Sequence, residues 1–151
     1  MSSEVAVRRI TTGRAVVDPA WLARCEAVHR ELRPDLPADY IGTMQGVVED
    51  GGEMVAATAG AEVVAVAVFR CYRNTSSGVH VYVDDLVTAA AARSRGIGKV
   101  LLDWLTDEAR GRGATRLRLD SGTQRIDAHR FYHRDGMHIA CFHFSRDLAP
   151  A

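Results

Sequence analysis

Arg93-Ser94-Arg95-Gly96-Ile97-Gly98-Lys99 is the stretch whose reading decides the fold. It stands between a β-branched run at 79–88 and the helical periodicity of Ile97, Val100, Leu101, Trp104 and Leu105. Two glycines let the backbone approach a ligand closely and turn successive N–H groups inward. The N-terminus of the helix that follows adds partial positive charge. Arg93, Arg95 and Lys99 put three cations beside that nest, a combination suited to a di- or polyphosphate. The competing reading is a glycine-bearing surface turn with incidental basic residues. A Walker A loop would need Gly at position 93 and Ser or Thr at position 100, where this chain has Arg93 and Val100. The dinucleotide fingerprint fails as well, because Leu101 stands where its third glycine belongs and no strand-first βαβ unit opens the chain.

Working outward from the loop, 79–88 reads as a strand with Val79, Val81 and Val83 on one face. Before it, 54–58 and 63–71 read as a hairpin. Asp18-Pro19 supplies an N-cap and first-turn proline for a helix carrying Trp21, Leu22, Cys25, Val28 and Leu32. Pro34 and Pro37 end it, 40–48 reads as a second helix, and 5–10 as a first strand. After the loop helix, which stops near Gly111 and Gly113, Leu117 and Leu119 mark a fifth strand. A short helix at 126–134 is closed by Gly136, and 139–148 reads as one or two last strands. The order β-α-α-β-β-β-α-β-α-β predicts a mixed α/β (α+β) sheet, antiparallel first and parallel after the later helical crossovers.

The chain has 151 residues, the size of one domain, so 1–151 is read as a single unit. Lys+Arg and Asp+Glu number 19 each, and that balance argues against a dedicated nucleic-acid binder. Cys25, Cys71 and Cys141 are an odd, widely spaced set, neither a disulfide framework nor a zinc spacing. No apolar stretch is long enough to span a membrane, and Met1-Ser2-Ser3-Glu4 lacks the start of a signal peptide. The expected location is the cytoplasm, with no membrane partner.

Two motifs carry a family resemblance. Arg93-x-x-Gly96-x-Gly98 matches the signature at the start of the central helix of the GNAT acyltransferase superfamily, preceded by Leu86-Val87-Thr88 where that family ends a strand on an aliphatic tripeptide. Ala128-His129-Arg130-Phe131-Tyr132-His133-Arg134-Asp135-Gly136-Met137 is similar to its downstream motif. The likeness is close from Val79 to Leu148 and rests on element order alone before that. It implies a mixed, largely antiparallel sheet with a splay between strands 4 and 5, flanked by about four helices. It implies acetyl-CoA as cosubstrate, with the backbone of Leu86, Val87 and Thr88 along the pantetheine arm. The loop Arg93, Ser94, Arg95, Gly96, Ile97, Gly98 and Lys99 would hold the pyrophosphate. Arg125 replaces an Asn that often contacts the cofactor, and Met137 replaces the usual Phe.

The resemblance further implies transfer of acetyl from the thioester to a primary amine without a covalent enzyme intermediate. Tyr132 is the family's general acid at the sulfur, and the N–H of Val87 is the expected oxyanion donor. For the base, Asp84 is preferred, then Asp85 and Asp120, with His80 acting through a water as a fourth candidate. Strand alternation is expected to send Asp84 and Asp85 to opposite faces. Acidic residues near the site suggest a small cationic acceptor. A protein lysine or N-terminus is the alternative, and a non-catalytic acyl-CoA sensor a third reading. His129, His133, His138 and His143 are read as solvated or core-edge histidines, with no metal site. Trp21, Tyr40, Phe69, Tyr72 and Tyr82 pack the core for the most part, with the acceptor pocket as their other role. Arg24, Arg30 and Arg33 are read as a solvated helix face. A homodimer is left open.

Overall fold

Asp18 caps the first helix as its sequence context demands: its side chain accepts the Trp21 N–H at 3.3 Å, and Pro19 occupies the first turn. Asp39 does the same for the second helix, accepting the Gly42 N–H at 2.9 Å. The computed structural model describes residues 4–149. In chain order these form β1 (Val5–Arg9), β2 (Thr11–Thr12), β3 (Ala15–Val16), α1 (Pro19–Leu32), α2 (Tyr40–Glu49), β4 (Glu53–Ala59), β5 (Glu62–Asn74), β6 (Gly78–Thr88), a 3-10 turn (Ala90–Ala92), α3 (Ile97–Gly111), β7 (Leu117–Leu119) and α4 (Ile126–Arg134). The short β2–β3 hairpin was not expected from the sequence. It turns at Gly13, whose φ of 58° lies in the left-handed region that favours glycine.

The chain divides into two compact units, with the break between Leu119 and Asp120. The first holds a five-stranded sheet in the order β1-β4-β5-β6-β7. Its first four strands are antiparallel, and β7 joins β6 in parallel. One face packs α1 and α2 through Leu22, Cys25, Val28, Tyr40 and Met44 against Met54, Ala56, Val66, Val68 and Val87. The other face carries α3, where Trp104 meets Phe69 edge-on at 6.0 Å. Of the expected stripe, Ile97, Leu101 and Leu105 are buried, joined by Leu102 and Ala109, whereas Val100 is exposed.

The second unit holds α4, ended by a Schellman turn: Gly136 has φ 85°, and the Met137 N–H donates to the Tyr132 carbonyl at 3.0 Å. The strands expected at 139–148 are absent among the described residues. Apolar alternation supplies one half of a strand signal, and a neighbouring row of backbone donors and acceptors must supply the other. Here Phe142 and Phe144 are 85% and 91% exposed and the segment joins no ladder. Among the described residues, no helix is long and apolar enough to cross a membrane.

Candidate active site

The β6–β7 ladder runs from Val81↔Leu117 to Val83↔Leu119, while β6 continues to Thr88 paired with β5. From Asp84 onward the far edge of β6 therefore leaves β7 behind, which is the splay expected between the fourth and fifth long strands. Which groups face that edge follows from the register. The Ala89 N–H donates to Val64 at 2.9 Å, and hydrogen-bonded pairs alternate along an antiparallel ladder. Val87, opposite Val66, is thus turned toward β5, and the N–H groups of Leu86 and Thr88 face the open edge. This corrects the expectation that Val87 donates to the oxyanion.

β6 leads through the 3-10 turn, whose Ala90 N–H is held by Glu31 Oε2 at 2.7 Å, into the basic loop. Ser94 and Gly96 both have positive φ, 60° and 75°. Gly96 is the N-cap of α3, and a glycine has no side chain with which to cap the first-turn N–H groups. No acidic residue stands in that first turn, and the cations there oppose the helix dipole's own preference. Lys99 Nζ is tethered to the Asp103 carboxylate at 2.8 and 3.0 Å. An uncapped helix start, a left-handed turn and local positive charge fit a phosphate-bearing ligand in this place.

On β6, upstream of this loop, Asp84 and Asp85 are placed in a way that sequence alternation did not foresee. Val68 pairs with Asp85 and Phe69 with Val83, so Asp84 is the extra residue of a β-bulge. Alternation breaks there. Asp85 lies on the α1 side, opposite Val68, and Asp84 turns to Arg70, one strand position beyond Phe69. The two acids share a face. Arg70 grips Asp84 in a bidentate pair at 2.9 and 2.8 Å. Asp85 Oδ2 accepts from His29 Nε2 at 2.7 Å, and its Oδ1 accepts from Arg33 Nε at 2.8 Å. Arg33 Nη2 also reaches the Asp84 carbonyl at 3.3 Å. Burial alone would raise the Asp85 carboxyl, but the hydrogen bonds from His29 and Arg33, with the Arg33 charge, outweigh it and hold the group below its ordinary value. Behind them the Tyr40 hydroxyl meets His29 Nδ1 at 3.0 Å.

Arg33, just past α1, thus reaches β6 while staying exposed, and its neighbours on the helix are partnered too: half-buried Arg30 bonds Glu26 and the carbonyls of Leu36 and Pro37, and exposed Arg24 bonds the Ala61 carbonyl. His29, Arg33 and Arg70 are the residues that sequence reasoning missed. Their signal was present, since His29 and Arg33 continue the Leu22–Cys25 stripe and Arg70 continues Val66 and Val68 on one strand face. His80 is fully buried against Tyr72 and the Gly78 carbonyl, which removes it as a base acting through water. Tyr40 and Phe69 are core residues, while Tyr72 and Tyr82 flank Arg70 at 5.4 and 5.7 Å. In the second unit, Asp120 Oδ2 lies 2.7 Å from His143 Nδ1, and His129 and His133 face the carbonyls of Gly122 and Met137. The Tyr132 ring lies tilted beside Phe131, centroids 5.3 Å apart, and burial pushes its phenol above the ordinary value.

Comparison with known proteins bears on these features. An uncharacterized N-acetyltransferase, YhdJ, of Bacillus subtilis strain 168 is 54% identical over 55 residues, 36% of this chain and 39% of that protein. Aminoalkylphosphonate N-acetyltransferase of Salmonella typhimurium is 39% identical over 66 residues, 44% of this chain and 43% of the relative. The match spans about two-fifths of the length of these curated relatives. The crystal structure of aminoglycoside N-acetyltransferase AAC(6')-Iy in complex with CoA superposes with a TM-score of 0.81 over 99% of this chain and 98% of the other, at 16% identity, which shows a shared fold. The model of the acetyltransferase (GNAT) family matches residues 19–137, well over half of the sequence. The chain belongs to the GNAT acetyltransferase family.

Proposed function

We propose that the chain is an N-acetyltransferase that moves the acetyl group of acetyl-CoA directly onto the primary amine of a small acceptor, within a ternary complex. The observation that carries this reading is the edge of β6, released from β7 after Val83 and running into the basic loop at the head of α3. Acetyl-CoA supplies an activated acetyl thioester. The backbone of Leu86, Val87 and Thr88 receives the pantetheine arm as an added strand, and the loop from Arg93 to Lys99 receives the pyrophosphate. The N–H groups of Leu86 and Thr88 serve the amide and the acetyl carbonyl, whose oxygen gains negative charge as the amine attacks.

Asp84, the more exposed of the two acids, meets the incoming ammonium and takes its proton. The nitrogen lone pair then forms the C–N bond as the C–S bond breaks, the Tyr132 hydroxyl gives its proton to the departing sulfur, and the second proton that the new amide nitrogen sheds passes through solvent to restore the Tyr132 phenol. A phenol held above its ordinary pKa by burial stays protonated at neutral pH, as an acid in this role must. Asp85 is held by α1, and Asp120 is left as a structural carboxylate paired with His143. The small-amine assignment draws on the relatives named for aminoalkylphosphonate and aminoglycoside acetylation. The reaction belongs in the cytoplasm, in keeping with free thiols at Cys25, Cys71 and Cys141. The two units act as one acetyltransferase domain, the family match crossing the break between them.

The test is acetyl-CoA turnover over small amines and peptides, with wild type and Tyr132→Phe. Wild type should acetylate small amines, and Tyr132→Phe should lower kcat and kcat/KM together, by about 10²-fold, with acetyl-CoA binding kept. Turnover of peptides alone would remove the small-amine assignment. Full activity in Tyr132→Phe would remove the acid.

A further inference from the structure

The acids at the β5–β6 bulge are paired, and the manner of the pairing speaks to the acceptor. A guanidinium has five N–H donors in a rigid planar fork. Arg70 holds Asp84 through Nε and Nη2, and Arg33 uses its own Nε and Nη2 on Asp85 and the Asp84 carbonyl. Both grip with the lateral edge of the fork. Arg33 Nη2 also lies 2.6 Å from Asp85 Oδ1, and Nη1 of neither guanidinium makes a hydrogen bond among the described residues, so each keeps a donor for a further anion.

Depth follows sign. Side-chain exposure rises from 13% at Asp85 and 32% at Asp84 to 43% at Arg70 and 53% at Arg33. The carboxylates are inside and the guanidiniums form the rim. Two positive and two negative charges cancel, so the cluster has no net pull on a molecule that is only cationic. On α1 nearby, Arg30 is paired with Glu26, while Glu31 accepts the Ala90 N–H and lies 4.0 Å from Arg93. Arg70 is further steadied between Tyr72 and Tyr82, whose rings lie 5.4 and 5.7 Å from its guanidinium carbon. A rim cation fixed by aromatic rings and a carboxylate is a preorganised anion contact.

We infer that the acceptor is an amine bearing its own acidic group, a carboxylate or phosphonate, which Arg33 and Arg70 bind at the rim while its ammonium reaches the carboxylates. The inference rests on the small-amine reading above and narrows it from a cationic acceptor to a zwitterionic one.

The experiment measures kcat/KM for matched pairs, 3-aminopropanoate against its amide and 3-aminopropylphosphonate against its neutral diester, with wild type, Arg33→Gln, Arg70→Gln and Arg70→Lys. Wild type should prefer each acid by about tenfold or more, chiefly through KM, because a site built for charge-assisted hydrogen bonds loses them with the neutral analogue. Either Gln variant should bring the preference toward unity through the acid, and Arg70→Lys should keep part of it. Should a Gln variant melt before assay temperature, calorimetric titration of the N-acetylated acid and its amide into wild-type protein decides instead, with tighter binding of the acid expected and equal affinity overturning the inference. A wild type that uses the neutral analogues as well as the acids, or a preference that survives in both Gln variants, also overturns it while leaving the small-amine reading in place. Turnover of peptides and no small amine removes both.

Discussion

Asp85 shows how one residue can stand beside the proposed base and be structurally committed at once. It is the point where α1 is tied to β6, through His29 and Arg33, and its carboxyl lies below its ordinary value because those partners outweigh burial. A group depressed in the folded state contributes stability in full above its unfolded value, about 3.9, and loses it as pH falls through the lower folded value. Asp85→Asn should therefore cost about 2 kcal/mol at pH 7, where it leaves buried His29 facing an amide and Arg33 without its counter-charge. The gap between variant and wild type should narrow below about pH 4, as the wild-type carboxylate is itself protonated. Urea unfolding midpoints at pH 7 and pH 3 measure both gaps. An equal gap at the two values would mean that the charge of Asp85 contributes nothing.

At the scale of the element, the start of α3 is where conformation and ligand requirement coincide. Gly96 has φ 75°, and a Cβ built there meets no atom within 4 Å. Gly96→Asp thus suffers only the strain of a left-handed L-residue, about 1–2 kcal/mol. Its side chain, however, would enter the space proposed for the pyrophosphate and add a negative charge. The variant should fold, with a lowered melting temperature, and show no thermal shift with saturating acetyl-CoA, whereas wild type should be stabilised. A shift equal to that of wild type would remove the loop from the cofactor site. Most elements were legible in the sequence because their signals are local: Asp18-Pro19 begins α1, Gly136 ends α4, and the apolar stripe of α3 has the period of a buried helix. The bulge at Asp84 was not, since a single inserted residue is defined only by the register of the partner strand. The same reason covers 139–148, where alternation was visible and a partner ladder was not. His29 and Arg33 lay on the apolar stripe of α1, so their inward position was readable even though their common partner on β6 was not.

Across the whole chain, 19 basic and 19 acidic residues cancel, and the first unit places many of them in pairs that join elements far apart in sequence. One such network ties the sheet to α3. Glu53, almost fully buried on β4, accepts from Arg112 Nη2 at 2.8 Å and lies 3.7 Å from Arg9 of β1. Arg112, just past α3, also donates to Glu108 at 2.8 Å, and Glu108 pairs with Arg9 at 2.9 Å. Arg9 covers Trp104 at 4.9 Å, and Arg112 lies over Phe69 at 5.7 Å, so both cations also cover the rings that seal α3 to the sheet. Surface pairs contribute little, but removing one partner of a buried pair leaves an uncompensated charge. Arg112→Met should cost about 3 kcal/mol, which for a chain of this size lowers the melting temperature by about 6–12 °C. Replacing both members is a different case, because apolar groups of similar volume need no counter-charge. Arg112→Met combined with Glu53→Met should recover much of that loss, whereas Glu53→Met alone should leave Arg112 supported by Glu108 and cost less than Arg112→Met. Thermal melts of the three proteins complete the cycle. Additive losses would show that Glu53 and Arg112 act independently, and the network would then not be what holds α3 against β1 and β4.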